Sequence, residues 1–135
     1  MEAYVYQAAL VCAGCGERIR RKLTEEGRAP QDPADEASYD SDDFPKGPYP
    51  NGGGETDAPA HCDVCEVYLQ APLTGEGVED AVERIRRFLI ARFRKEEDQG
   101  NLGVLIAWAE DLRRYGLEPE EKAVIEFILA AQGAT

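Results

Sequence analysis

The chain has 135 residues, with 15 Lys plus Arg against 27 Asp plus Glu, a formal net charge of −12, and 43% hydrophobic residues. That length suits one compact domain and leaves little room for a two-domain enzyme, and no apolar run approaches the roughly 20 residues of a membrane span. The acidity argues against a general duplex-DNA binder, whose affinity comes largely from neutralised phosphates.

The first element is Ala3-Tyr4-Val5-Tyr6-Gln7-Ala8-Ala9-Leu10-Val11, rich in β-formers, with Tyr4, Tyr6 and Ala8 on one face. It predicts a strand that runs into the first cysteine pair. It lacks the pattern of a secretory or lipoprotein signal, because Glu2 is the only charged side chain before Cys12 and Gln7 interrupts a short apolar run. We therefore expect mature structure here, in a cytoplasmic protein. Cys12-Ala13-Gly14-Cys15 follows, then Gly16, whose backbone freedom is expected to let the turn aim amides back at the sulfurs. Glu17 to Glu26, with Ile19 and Leu23 on one side, predicts a short helix that Gly27 ends.

Residues 28–66 carry Arg28 and Lys46 against ten acids, a net of −8, so two-thirds of the excess charge sits in this segment. It holds most of the prolines and few aliphatic residues, and cannot bury enough apolar surface to order itself alone. Gly52-Gly53-Gly54 is not followed by a lysine and a helix, so it reads as a flexible turn rather than a phosphate loop. In the run from Asp40 to Gly52 the glycine and closing glutamate of a calcium loop are out of place. Its prolines would hold Phe44 and Tyr49 extended beside the acids, as in a docking loop, or as a solvated insert over the metal site.

Cys62-Asp63-Val64-Cys65 completes a second C-x-x-C unit, and the two units use all four cysteines across a 46-residue separation. Four thiolates, Cys12, Cys15, Cys62 and Cys65, suit a tetrahedral site for a soft ion. Zinc is the expected metal, and iron in a rubredoxin-like centre would use the same donors. Four cysteines close the coordination shell, which points to a structural staple rather than a reaction centre. A strand, C-x-x-C and helix also begins thioredoxin-like redox sites, but the second pair and the shortage of later strands weigh against it. Glu66 stands where the first unit has Gly16, so the second is less ideal. The only histidine, His61, precedes Cys62 and reads as a loop residue or as an outer support to the site. No motif for a nucleotide or a serine nucleophile is present.

Val67-Tyr68-Leu69 predicts a second short strand. Val78, Ala81, Val82, Ile85, Phe88, Leu89 and Phe93 then recur at helical spacing and predict the longest helix. The arginines along it, Arg84, Arg86, Arg87, Arg92 and Arg94, are interleaved with acids three and four residues away, the pattern of a solvated, ion-paired face. Leu102, Leu105, Ile106, Trp108, Ala109 and Leu112 predict a second helix with Gly116 as its cap. Pro119 opens a third through Val124, Ile125, Phe127, Ile128 and Leu129, with Gly133 ending it. Trp108, Ile125 and Phe127 are candidates for a contact with another subunit, so a homo-oligomer is a further expectation.

The arrangement of strand, C-x-x-C-G, helix, acidic Gly-Pro-Tyr-Pro-Asn-Gly-Gly-Gly insert and His61-Cys62-Asp63-Val64-Cys65 resembles small uncharacterised bacterial and phage-borne proteins with paired C-x-x-C knuckles of zinc-ribbon type. The resemblance covers about the first 75 residues and implies zinc binding, with no known activity. The expected architecture is α+β. A zinc-stapled sheet region (1–75, with its insert at 28–61) packs on a three-helix region (76–135) within one compact domain. The expected function is non-enzymatic: a zinc-binding adaptor for an unidentified protein partner, with a basic protein as one candidate. The alternatives are an acidic inhibitor that imitates nucleic acid and a C-x-x-C thiol redox enzyme.

Overall fold

The computed structural model describes residues 1–98 and 100–132. The chain is α+β and divides into two compact units: one spans 1–56 and 60–72, the other 57–59 and 73–135. No helix among the described residues is long and apolar enough to cross a membrane.

The first unit is built on β1 (Ala3–Tyr6) and β2 (Ala9–Cys12), which pair antiparallel with Tyr4 opposite Val11 and Ala3 opposite Cys12. The single strand expected over residues 3–11 is thus a tight hairpin. Its two-residue loop, Gln7-Ala8, has positive φ at both positions (50° and 61°), as the turn that matches strand twist requires. Neither residue is a usual choice there, so the turn left no mark in the sequence. β2 runs directly into α1 (Ala13–Glu25). This helix begins four residues earlier than periodicity predicted, because Cys12 itself caps it. Gly27, at φ 74°, does end it: the amides of Gly27 and Arg28 donate to the carbonyls of Thr24 and Leu23 at 3.0 and 2.8 Å.

The third strand, β3 (Lys46–Tyr49), comes from the acidic insert and pairs antiparallel with β1, giving the sheet order β2-β1-β3. Pro48 is tolerated because β3 is an edge strand. The insert is thereby ordered by its host, and its aromatics are not on offer as a docking loop. Phe44 is buried, stacks edge-on to Tyr39 at 5.8 Å, and lies under the Arg20 guanidinium at 5.1 Å. Tyr49 is half-buried and donates to Glu36 Oε2 at 3.0 Å. Arg20 also covers the Tyr4 ring at 4.7 Å and donates to the carbonyls of Pro45 and Gly47, fastening the insert to α1. Nor is the triple glycine a slack turn. A Cβ on Gly52 would sit 2.7 Å from the Leu69 carbonyl oxygen, and one on Gly53 2.7 Å from Leu10 Cδ2.

Val67–Leu69 makes an isolated bridge, Tyr68 opposite His61, instead of the second strand expected there. The core of this unit gathers Ala3, Tyr4, Val11, Cys15, Cys62 and Leu69.

The second unit consists of α2 (Gly75–Arg94), α3 (Leu102–Leu112) and α4 (Pro119–Gln132), as the periodicity predicted. Thr74 caps α2 by accepting from the Gly77 amide at 3.0 Å, and its hydroxyl donates to Asp57 Oδ1 at 2.6 Å. Asn101 caps α3. That helix stops at Leu112, short of the expected cap Gly116, because the chain turns there through the Tyr115 amide to the Leu112 carbonyl at 3.1 Å. The Glu121 carboxylate accepts from the Glu118 amide at 2.9 Å, one half of a capping box at the start of α4. The expected terminator, Gly133, lies outside the described residues. Val82, Ile85, Leu105, Trp108, Leu112, Ile125 and Ile128 are buried, whereas Phe93 and Phe127 are exposed. Trp108 and Ile125 therefore belong to the interior, and of the three candidates for a subunit contact only Phe127 faces outward.

Candidate metal centre

The first knuckle is made where a strand becomes a helix. Cys12 has extended backbone (φ −65°, ψ 163°), and its sulfur accepts from the Cys15 amide at 3.5 Å, the place a serine or aspartate would take at other helix starts. Its sulfur and that of Cys15 therefore stand at the N-terminal, positive end of α1. No acidic side chain competes in the first turn. One turn along, Arg18 Nη2 donates to Cys15 Sγ at 3.0 Å. This positive partner to a ligand sulfur was not foreseen from the sequence; an arginine three residues after the second cysteine of a knuckle, on a helix, was its only signal.

The second knuckle is a tight loop closed by backbone bonds. The Cys62 amide donates to the Val67 carbonyl at 2.9 Å, and the Leu69 amide to the Ala60 carbonyl at 2.9 Å. The Cys65 amide donates to Cys62 Sγ at 3.5 Å, repeating the first knuckle. The Asp63 amide donates to the Leu10 carbonyl at 2.9 Å and so ties this loop to β2, immediately before Cys12.

Gly16 serves a different purpose from the one expected. It is helical, and a Cβ on it would fall 2.2 Å from Tyr4 Cδ2, so its role is to let the tyrosine ring lie against the knuckle. Glu66 adopts the left-handed conformation at φ 66°, with its amide donating to the Cys62 carbonyl at 2.9 Å. The knuckle keeps its geometry with a residue that pays a steric penalty where glycine would not. His61 is not among the clustered donors of the described residues. Its Nδ1 lies 2.9 Å from the Glu66 carbonyl oxygen and its ring packs on Tyr68 at 5.4 Å, so it braces the loop from outside.

The two knuckles bring all four predicted cysteines together. The sulfurs of Cys12, Cys15, Cys62 and Cys65 lie within 4.8 Å of one another, and all four residues are free of disulfides. Cys12 Sγ and Cys65 Sγ are 3.7 Å apart. Zinc–sulfur bonds of about 2.3 Å in a tetrahedron place neighbouring sulfurs about 3.8 Å apart, whereas a disulfide needs about 2.05 Å. The donor set therefore fits a tetrahedral metal ion. Cys15 and Cys62 are buried, Cys12 half-buried and Cys65 exposed, so the centre has one edge at the surface.

Electrostatics divides the sulfurs. Burial, and then the neighbouring thiols of Cys12, Cys65 and Cys62, pushes the Cys15 thiol up to about 12. Burial opposes ionisation of Cys62 as well, but the amides of Cys65, Cys12 and Val64 outweigh it and hold that thiol down at about 6. So many thiolates cannot share this small space unless a cation stands among them.

Three of the five α2 arginines pair with acids one turn away, as the sequence indicated. Arg84 pairs with Asp80 at 3.0 Å and Arg86 with Glu83 at 2.8 Å, with Arg87 also near Glu83 at 3.9 Å. Comparison with family models, curated proteins and solved structures returned no match.

Proposed function

We propose that this chain is a non-enzymatic zinc-binding protein of the reducing cytoplasm, in which Cys12, Cys15, Cys62 and Cys65 hold one structural Zn²⁺ and the folded chain serves protein–protein interaction. The observation that carries the reading is the convergence of four free sulfurs, drawn from two knuckles far apart in sequence, with Cys12 and Cys65 at tetrahedral spacing. Four thiolates fill the coordination shell and leave no position for a water or substrate. What the ion supplies is cross-linking. The apparent binding free energy of structural zinc, about 10–16 kcal/mol, exceeds the whole stability expected for a unit of roughly 70 residues. Residues of the chain do the rest: the N-terminus of α1 and Arg18 offset the negative charge of the sulfurs, and the Asp63-to-Leu10 bond sets the knuckles side by side.

Cobalt titration of the chelator-treated chain tests this. One equivalent of Co²⁺ should produce the thiolate charge-transfer bands and intense visible bands of a tetrahedral four-sulfur site, and Zn²⁺ should displace it. Cys62→Ser should weaken the bands and the affinity together. Absence of the bands from the unsubstituted, chelator-treated chain after cobalt addition would refute the metal reading. A chain isolated with the strong visible colour of ferric thiolate would assign the same site to iron.

A further inference from the structure

We propose that the groove between α2 and α4 is a docking site for a single amphipathic helix of a partner protein, one whose apolar stripe is flanked by carboxylates. The proposal deepens the interaction half of the reading above by naming the surface and the chemistry of the partner, and it does not depend on the metal.

The groove has a volume of about 510 Å³ and a floor made by Leu89, Ile90 and Phe93 of α2 with Val124 and Phe127 of α4. Phe93 is 89% exposed and Phe127 66%, and together with Ile90 they are half of the large exposed apolar residues among those described. Isolated exposed apolar residues need no explanation, but a contiguous aromatic patch does. The positions on α2 explain the shape. Ala81, Val82, Ile85 and Ala91 form a stripe already buried, while 86, 89, 90, 93 and 94 recur at three and four residues and form a second stripe on the same helix. A second stripe at that spacing presents the ridges another helix packs against, and α4 supplies the opposite wall at 123, 124 and 127. A groove between two neighbouring helices is where the next helix of a bundle lies.

Charge selects the occupant. The chain carries 27 acids, yet none lines this groove; its two charged lining residues are Arg86 and Arg94. Arg86 already shares Glu83, while Arg94 makes no ion pair among the described residues. Aromatic residues and arginine without acids are the composition of an interface centre. A second copy of the chain suits it poorly: a two-fold pairing over this face would set arginine against arginine. A stable dimer also needs about 20–30 residues on each side, and the groove offers eight. An acidic amphipathic helix satisfies both the apolar floor and the cationic rim.

The test uses the full chain and a fluorescently labelled helical peptide with leucines at i, i+3, i+4 and i+7 and glutamates on the flanks, beside a twin with lysine at every glutamate. Anisotropy should show the glutamate peptide binding more tightly than the lysine twin, and more weakly as salt rises. Phe93→Ser should abolish binding without altering the circular dichroism, since the side chain is exposed. Arg94→Glu should shift the preference between the peptides by about tenfold toward lysine. Equal binding of both peptides, binding of neither, or a dimer in sedimentation that Phe93→Ser dissociates would each overturn the proposal. Selective binding by a chain that takes up no cobalt would uphold this inference while the metal reading fell.

Discussion

The ring of Tyr4 lies against the backbone of Gly16, so close that a Cβ on the glycine would sit 2.2 Å from Cδ2 and 2.6 Å from Cγ of the ring. Strand β1 and the first turn of α1 are thereby in direct contact beside the first knuckle, with Arg20 over the other part of the ring. Gly16→Ala should cost about 1–3 kcal/mol, because the ring is buried and must move against the core. Gly14→Ala is the control. Its Cβ would meet only the end of the Arg18 side chain, at 3.8 Å, and alanine is the better helix former. Urea unfolding of the metal-loaded proteins should lower the midpoint for the first variant and leave it unchanged or raised for the second.

Glu66 stands at φ 66° in the turn that closes the second knuckle. Glu66→Gly should raise stability by about 1 kcal/mol, since glycine adopts this conformation without the Cβ clash. A higher thermal midpoint with unchanged metal affinity is the expected result; a lower midpoint would mean that the Glu66 side chain contributes more than its backbone costs.

Arg20 joins three parts of the first unit: the Tyr4 ring, the Phe44 ring and the carbonyls of Pro45 and Gly47. Arg20→Met keeps the stem and removes the guanidinium. It should cost about 2–4 kcal/mol, summing two cation–π contacts and the charged hydrogen bonds. The loss should be local: limited trypsin digestion should cut at Lys46 sooner in the variant, while the α2–α4 helices resist equally in both.

The four-cysteine cluster and the three later helices were legible in the sequence for physical reasons. Two C-x-x-C units place sulfurs within reach of one ion whatever the rest of the chain does, and the stripes of α2 and α4 recur at the helical period. Other features depended on partners that local sequence does not name. Gln7-Ala8 turns a hairpin without glycine or asparagine. Lys46-Gly-Pro-Tyr forms a strand by pairing with β1, and Phe44, amid acids and prolines, is buried in contact with Arg20 and Tyr39. Gly16 reads as a turn glycine until Tyr4 is seen against it. Phe93 continues the α2 apolar series by spacing, yet it lies on the stripe that no described residue of its unit covers.

The pH dependence of metal uptake follows from Cys62. Its thiol, held at about 6, is mostly thiolate at neutral pH and gives up little proton when a metal arrives. Cys15, at about 12, must lose its proton at any working pH. As the pH falls through about 6, Cys62 becomes protonated and also has a proton to lose. Calorimetry in buffers of different ionisation enthalpy should therefore show about one more proton released per metal near pH 5 than near pH 7, with affinity falling in the same direction. Constant proton release across that range would contradict the special status of Cys62.

A structural zinc centre is tested most directly by the metal content and native mass of the purified chain, before and after chelation, with the far-ultraviolet circular dichroism followed alongside. One zinc per chain, lost on chelation together with part of the folded signal, is the predicted result. A chain without metal, lighter by the four protons of two disulfides and unmoved by chelator, would contradict it.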